Sequence, residues 1–244
     1  MRVLLVAGAG EARQIAHALW GVPNLSVTVF QTKEVDASEC FGWPVRDASG
    51  VDDATLFQWV GDMEPDGIID AEDTFRVDRS VALFSLSQRW KCDYVKYLPP
   101  FWVPTVADNW TFLGEAAEAS QCIPKNAVVF ADLDYDVLQR LGLPKTQKVI
   151  WRGAPSEQSR DLEENVVFHS RNGPTSVAGE TRLMGELDVD WLVVRNTGGQ
   201  YDWPKLEAAR ELGVRVALLR RPQQPDGPKI TTVSETVAWV RRRG

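Results

Sequence analysis

The residues best suited to bind a ligand lie within residues 190–222, where several cations and a pair of glycines surround one predicted loop. Apolar runs at residues 191–194 and 214–219 predict two buried parallel strands. Pro204 favours the start of a helix between them. A strand, a helix and a parallel strand place the intervening loop at the carboxyl edge of the sheet, where open α/β sheets bind ligands. The candidate ligand-binding residues are Arg171, Arg195, Asn196, Thr197, Gly198, Gly199, Lys205 and Arg221.

This loop points to an anionic ligand. Backbone N–H groups of a Gly-Gly loop can bind an anion, and Arg195, Lys205, Arg220 and Arg221 add positive charge in the same unit. The alternative is that the glycines only permit a turn and that the arginines are solvated. The pattern alone leaves both interpretations open.

A second candidate site lies at the start of the chain. Residues 2–7 predict an apolar strand, and a glycine turn and a helix follow it. Small residues at such a turn let the backbone approach the pyrophosphate of a dinucleotide. Arg13 stands where the full fingerprint has a third glycine, so a tight turn without a nucleotide remains an alternative. The candidate cofactor-binding residues are Gly8, Ala9, Gly10, Glu11, Ala12, Arg13, Thr32, Lys33 and Asp70.

The end of the second predicted strand favours one nicotinamide cofactor over the other. Residues 25–30 form that strand, which should end near the ribose of a bound dinucleotide. Thr32 and Lys33 follow it. A hydroxyl and an ammonium suit a 2′-phosphate, whereas an NAD site is expected to place an acid there, so the sequence favours NADPH. Asp70 ends a further predicted strand at residues 67–71.

Composition excludes several classes of partner. The formal net charge of −7 argues against nucleic acid and against an anionic membrane surface. No apolar run approaches the roughly 20 residues of a membrane-spanning helix. Three widely spaced cysteines suit reduced thiols in the cytoplasm, and the two histidines form no metal-ligand cluster. We therefore expect a cytoplasmic protein without a metal, either a monomer or a small homo-oligomer.

Alternating strand and helix patterns predict an α/β protein with two Rossmann-like domains, each with a mainly parallel sheet flanked by helices. Three prolines, Pro99, Pro100 and Pro104, mark the expected boundary. Residues 1–104 are predicted as a dinucleotide-binding-like domain. Residues 105–244 are predicted as a C-terminal α/β domain that completes a substrate cleft.

The C-terminal part of the chain contains three segments that carry a resemblance: VVRNTGG at 193–199, KLEAARELGV at 205–214 and RRP at 220–222. Together they resemble the C-terminal signature of the precorrin-6A reductase family of cobalamin biosynthesis. The similarity extends more weakly to Arg171, Gly173, Pro174 and Glu180, and to the chain start VLLVAGAGEARQIA. The resemblance implies a cytoplasmic two-domain α/β enzyme. Such an enzyme reduces a macrocycle double bond of precorrin-6A, a polycarboxylated tetrapyrrole, with NADPH.

Two loops depart from the family pattern. At residues 70–76, where the family has D-A-T-H-P-F-A, this chain carries Glu72 and Asp73. At residues 132–136, where the family has T-T-G-S-R, this chain carries three aspartates. Carboxylates repel an anionic ligand unless a cation such as Arg76 or Arg79 neutralises them. A non-catalytic ligand-binding homologue and a reductase of another anionic substrate therefore remain alternatives. Because a cofactor would carry the hydride chemistry, the sequence assigns no catalytic residue.

Overall fold

The computed structural model describes residues 1–32, 42–153, 162–170 and 176–244. The chain divides into two compact units, Met1–Pro100 with Pro222–Gly244, and Phe101–Arg221. Within the described residues, every strand pairing is parallel, and helices lie between most of the consecutive strands. The predicted α/β class with two mainly parallel, Rossmann-like sheets is confirmed.

In the first unit, strands and helices alternate along most of the chain. These elements are β1 (Arg2–Ala7), α1 (Ala12–Leu19), β2 (Ser26–Gln31), β3 (Val45–Asp47), α2 (Asp53–Met63), β4 (Gly67–Ala71), α3 (Val77–Trp90) and β5 (Asp93–Tyr97). The strands lie in the order β5-β4-β1-β2-β3. Because β1 pairs with β2 on one side and with β4 on the other, the strand order reverses at β1. Open α/β sheets bind ligands at such a switch point.

Two apolar layers hold this first sheet. On one face, Leu5 of β1 packs in a cluster with Ile15 and Leu19, which are four residues apart and therefore lie on the same side of α1. On the other face, alternate residues of the strands pack with Leu56 of α2 and Leu83 of α3. Burial on both faces explains why the central strands are apolar throughout rather than alternating with polar residues.

The second unit forms its own parallel sheet. Its elements are β6 (Trp110–Leu113), α4 (Ala119–Cys122), β7 (Val129–Asp132), α5 (Tyr135–Leu138), β8 (Val149–Gly153), β9 (Val166–Ser170), α6 (Val177–Glu186), β10 (Trp191–Arg195), α7 (Trp203–Leu212) and β11 (Arg215–Leu219), with 3₁₀ turns at Ala116–Glu118 and Gln139–Leu141. The strand order is β6-β11-β10-β7-β8-β9. Strands β8 and β9 lie on one side of β7 and β10 on the other, so a second switch point lies between β7 and β10.

The strand-helix-strand unit predicted from residues 190–222 is confirmed as β10, α7 and β11. Pro204 lies in the first turn of α7, where its missing N–H removes no helical hydrogen bond. Gly213 ends the helix with φ +70°, a left-handed conformation that suits glycine. Leu206 and Ala209 of α7 pack against Leu192 and Leu218 of the two strands.

The C-terminal segment returns to the first unit. Strand β12 (Lys229–Ile230) pairs with β5 and extends the order to β12-β5-β4-β1-β2-β3, and α8 (Val233–Arg241) follows it. Trp239 and Val240 of α8 belong to the same apolar cluster as α1. The predicted domain of residues 105–244 therefore differs from the compact units at its C-terminal end. Among the residues described, no helix is long and apolar enough to cross a membrane.

Candidate functional site

The turn between β1 and α1 lies at the switch point of the first sheet. The N–H groups of Gly8 and Ala9 both donate to the carbonyl oxygen of Ala71, at 3.0 and 2.8 Å, which ties the end of β1 to the end of β4. Gly10 is exposed, and Glu11 is the N-cap residue of α1 but does not cap the helix with its side chain. An exposed glycine turn thus leads into a helix N-terminus that Glu11 leaves uncapped, which suits an anion.

Gly8 has a packing role that its place in the motif did not reveal. A Cβ atom at this position would lie 1.9 Å from Glu72 Oε1, 2.8 Å from Thr32 Oγ1 and 2.9 Å from the backbone nitrogen of Asp73. The first glycine is therefore required by its own neighbours. Ala12 is buried beside it at the start of α1, whereas Arg13 is exposed.

The carboxylate of Glu72 is neutralised within the protein. Arg79 Nη1 lies 3.1 Å from Glu72 Oε2, and Arg79 Nε donates to Asp53 Oδ1 at 2.6 Å. Glu72 Oε1 accepts from the backbone N–H of Asp73 at 2.8 Å. The predicted repulsion by this acid is thus reduced, and Arg79 rather than Arg76 is the cation that pairs with it.

The end of β2 carries a hydroxyl that is already engaged. Thr32 is buried, and its Oγ1 donates to the carbonyl oxygen of Ala7 at 3.3 Å. Lys33 lies outside the described residues. Asp70 is enclosed: its carboxylate accepts from Lys96 Nζ at 3.1 Å and from the Tyr94 hydroxyl at 2.6 Å.

Lys96 saturates its hydrogen bonds inside the first unit. Besides Asp70, its ammonium donates to the Glu72 carbonyl oxygen at 2.9 Å and to Ser80 Oγ at 3.0 Å. Burial raises the pKa of Asp70, but Lys96 and the Tyr94 hydroxyl outweigh burial and hold that pKa below its usual value. Burial and the Asp70 carboxylate raise the pKa of Tyr94. The cluster keeps Asp70 ionised and fixes the loop that follows β4.

Sequence reasoning missed Arg46. It lies on β3 opposite Phe30, one residue before the end of β2, and its guanidinium carbon lies 3.3 Å from the ring centroid of Trp59. Arg46 is exposed, and no described residue forms an ion pair with it. Strand β3 has only three residues, all exposed, so no apolar pattern in the sequence could have placed this cation in the sheet.

The carboxyl edge of the second sheet holds a network of charged side chains. Arg195 Nη1 lies 2.8 Å from Asp134 Oδ2, and Lys205 Nζ lies 2.5 Å from Asp132 Oδ2 and 2.7 Å from Asp202 Oδ1. Burial lowers the pKa of Lys205, but the two carboxylates outweigh burial and raise that pKa. Two of the cations predicted to face an anionic ligand, Arg195 and Lys205, are therefore paired with carboxylates of the protein itself.

A second buried pair lies beside this network. Arg152, at the end of β8, forms a two-pronged pair with Glu180 of α6 at 2.8 and 2.9 Å. Its Nη1 also lies 3.8 Å from Asp132 Oδ2. The aspartates of residues 132–136 seemed unfavourable for an anion in the sequence, but all three prove to be partners of cations. The sequence did carry a signal for these pairs: acids lie at the end of β7, and Arg152 and Arg195 lie at the ends of the neighbouring strands β8 and β10.

The loop after β10 has a second task, which is to hold Trp102. The side chain of Asn196 accepts from the Trp102 N–H at 2.8 Å and donates to the Trp102 carbonyl oxygen at 3.0 Å. The Trp102 indole N–H donates to the Gly199 carbonyl oxygen at 3.2 Å. Gly198 has φ +79°, a left-handed conformation that favours glycine. This clamp makes the loop conformation rigid.

The remaining predicted residues also lie at this edge. Thr197 Oγ1 donates to Asp202 Oδ2 at 3.1 Å. The guanidinium of Arg221 donates to the carbonyl oxygens of Asn196 and Thr197. Arg171 lies outside the described residues. Within the described ranges, no group of His, Cys, Asp and Glu side chains could hold a metal ion.

Replacement of Lys96 by methionine should destabilise the protein by about 3–5 kcal/mol, because it leaves the Asp70 carboxylate buried and unpaired. The matched control is Lys229→Met, since Lys229 is the register partner of Lys96 in the same sheet but is exposed. Urea unfolding at neutral pH measures the difference. Equal unfolding midpoints for the two variants would contradict the assignment.

The same pair predicts a pH dependence. The pKa of Asp70 is lower in the folded protein, so its contribution to stability is present above the unfolded value of 3.8 and is lost as the pH falls through the folded value. The unfolding free energy of the unmodified protein should therefore fall with acidification through this range. Lys96→Met should show a weaker acid dependence than Lys229→Met in the same urea titrations.

Comparison with known proteins relates this arrangement to a family. The family model described as Precorrin-6x reductase CbiJ/CobK matches residues 2–241. The "Precorrin-6A reductase" of Rhodococcus erythropolis is 28% identical, with 98% of this chain and 97% of the relative covered. That of Mycobacterium tuberculosis is 26% identical, with 98% and 97% covered.

A solved structure supports the same fold. The protein described as "CobK precorrin-6A reductase" aligns with a TM-score of 0.89 and 22% identity, over 100% of this chain and 97% of that chain. This likeness shows the α/β fold of the two sheets. Because the family model matches almost the whole chain, the chain belongs to the precorrin-6x reductase family, whose members are reductase enzymes of cobalamin biosynthesis.

Proposed function

We propose that this chain reduces a double bond of precorrin-6A, or of a closely similar polycarboxylated tetrapyrrole, with NADPH as the hydride donor. The observation that carries the cofactor assignment is the strand order β3-β2-β1-β4-β5-β12, with an exposed glycine turn after its central strand. This is the order of dinucleotide-binding sheets, which bind at the β1 turn. Family membership and the names of the relatives support the substrate.

The first unit offers a fitting cradle for a pyrophosphate. Gly10 is exposed at the turn, and α1 begins there without a side-chain cap from Glu11. The backbone N–H groups of the first helical turn and the helix dipole would stabilise a phosphate. Glu72 lies beside this turn, but its carboxylate is paired with Arg79, which weakens its repulsion of an anion.

Arg46 supports the choice of NADPH over NADH. The Thr32 hydroxyl is engaged with Ala7, so a cation is the better candidate for the 2′-phosphate. Arg46 lies near the end of β2, is exposed, and rests on Trp59, which limits its conformational freedom. We assign it the 2′-phosphate together with Lys33.

The second unit supplies candidate groups for the macrocycle. The 195–199 loop lies at the carboxyl edge of its sheet, and Asn196 and Arg221 hold its backbone in place. Arg195 is the last residue of β10. Arg220 directly follows β11, is exposed and lies over the ring of Phe112. The bound cofactor would supply the hydride, while these side chains would orient the substrate through its carboxylates.

A cytoplasmic location is part of the same proposal. Cys92 and Cys122 are free thiols, and Cys40 lies outside the described residues. Free thiols persist in the reducing cytoplasm. The acidic loops that motivated a non-catalytic homologue are balanced by Arg79 and Arg195, which favours the reductase over that alternative.

Anaerobic incubation with precorrin-6A and NADPH should oxidise one cofactor for each macrocycle reduced. Gly10→Val should lower kcat/KM by at least about tenfold, because a branched side chain would occupy the space of the pyrophosphate. Gly50→Val is the matched control, since Gly50 is exposed in the same unit and a Cβ there meets nothing within 4 Å. Binding of the macrocycle without NADPH oxidation would instead identify a ligand-binding homologue.

Arg46→Ala should reduce the preference for NADPH over NADH by about tenfold or more, because a charge-assisted hydrogen bond contributes about 1.5–3 kcal/mol. Calorimetric titration with each cofactor measures the two affinities. Arg89→Ala, an exposed arginine on α3, serves as the control. An equal loss of affinity for both cofactors would show that Arg46 does not read the 2′-phosphate.

A further inference from the structure

Asp134 pairs with Arg195, the cation that we consider best placed to bind a substrate carboxylate. We propose that the Asp134 carboxylate occupies the substrate-carboxylate position on Arg195, and that a carboxylate of the tetrapyrrole displaces it on binding. This inference rests on the proposed function and makes Asp134 a specificity-determining residue of the reductase. Asp134 would act through Arg195 and would take no part in hydride transfer.

The geometry of the pair suits an exchange. Arg195 is the last residue of β10, and its side chain is only 8% exposed, so the strand and its neighbours fix the cation. Asp134 lies in the loop after β7, and its side chain is 43% exposed. A rigid cation therefore faces a carboxylate that water already reaches. The partner that can leave is the acid.

The neighbouring pairs do not share this freedom. Lys205 is held by Asp132 and Asp202, and Arg152 by Glu180, with the side chains of Asp132, Arg152 and Glu180 almost fully buried. Removal of one partner from such a pair leaves a buried charge without compensation, which is strongly unfavourable. The Asp202 side chain is 35% exposed, but Lys205 keeps the buried Asp132 as a second partner, whereas Asp134 is the carboxylate paired with Arg195. Among the described ion pairs of this edge, Arg195–Asp134 combines a buried cation with the most exposed acid.

The energetics also favour exchange at this position. Because water reaches the Asp134 carboxylate, solvent screens its attraction to Arg195, and this contact is easier to break than the contacts between fully buried side chains. A substrate carboxylate would form the same charge-assisted hydrogen bond to Arg195, so the protein loses no pairing when Asp134 turns to solvent. A neutral ligand offers no such replacement and would leave Asp134 in place. The pair thereby favours substrates that carry a carboxylate at the matching position.

The Arg195–Asp134 pair lies at the switch point of the second sheet, where a ligand is expected to bind. Asp134 follows β7 and Arg195 ends β10, the two strands between which the order of the second sheet reverses. Ligands of open α/β sheets bind in the crevice at that point. The Arg195 loop is also rigid, because Asn196 and Gly199 hold Trp102. A displaced Asp134 would thus leave the cation in a preformed position.

The test is Asp134→Asn, which keeps the size of the side chain and removes its charge. It should lower the KM for precorrin-6A roughly fivefold and leave kcat unchanged, since the substrate no longer competes with an internal anion. Asp136→Asn is the matched control, because Asp136 lies two residues further along, in the first turn of α5, has a 72% exposed side chain and pairs with Arg140. That control should leave KM unchanged.

Arg195→Ala completes the double-mutant cycle. It should raise KM on its own and abolish the gain from Asp134→Asn when the two are combined. A gain that persists without Arg195 would overturn the exchange in favour of a general charge effect. A rise in KM for Asp134→Asn, or a loss of its thermal stability relative to Asp136→Asn, would show that the pair is structural.

A binding measurement separates failure of this inference from failure of the proposed function. If the unmodified protein does not turn over precorrin-6A, the proposed function fails, and uroporphyrin, a stable polycarboxylated tetrapyrrole, becomes the probe. Tighter binding of uroporphyrin to Asp134→Asn, lost with Arg195→Ala, would still support the exchange. Unchanged binding, or no binding to either protein, would overturn it.

Discussion

A charge that is removed from water must be paired within the protein, and this constraint shapes the carboxyl edges of both sheets. In the first unit, Asp70 and Lys96 satisfy each other beneath the loop that follows β4. In the second, Lys205 joins Asp132 and Asp202, which lie on different elements of the edge. Each buried pair fixes the start of a loop, because an uncompensated charge there would cost several kcal/mol. The candidate binding groups stand on these fixed loops.

The carboxyl edges of the two sheets are built in the same way. Inner side chains saturate one another, as Lys96 does with three acceptors, while the outer groups remain accessible. In the first unit, Gly10 and Arg46 are the accessible groups, and both are exposed. In the second unit, the accessible group is the Asp134 carboxylate, which is paired with the buried Arg195. Preorganisation of this kind lets a protein bind a charged ligand with little rearrangement of its framework.

Local patterns were sufficient to predict the fold and the two loops at which we propose that ligands bind. The apolar runs around residues 190–222, with Pro204 and Gly213 as helix boundaries, led directly to β10, α7 and β11. The glycine turn after β1 was equally clear, because strand, glycines and helix follow one another in sequence. Both signals are local, so a single sequence carries them.

The pairings between distant residues could not be predicted in the same way. Asp132 and Asp134 appeared to oppose an anion, whereas the fold brings them to Lys205 and Arg195, more than sixty residues away in the chain. Asn196 appeared to be a ligand group, yet its amide holds the backbone of Trp102. Strand β12, which pairs with β5, has only two residues, and these are too few to show a strand pattern in the sequence. Such features depend on tertiary contacts that no local pattern records.

We propose above that this chain transfers a hydride from NADPH to a tetrapyrrole. The most direct test is anaerobic incubation of precorrin-6A with NADPH that carries deuterium on one face of its nicotinamide, followed by mass spectrometry of the macrocycle. The account predicts that the label on one face appears in the reduced macrocycle and that the label on the opposite face stays with the oxidised cofactor. A folded protein that binds both compounds, yet yields no deuterated macrocycle from either labelled form, would contradict it.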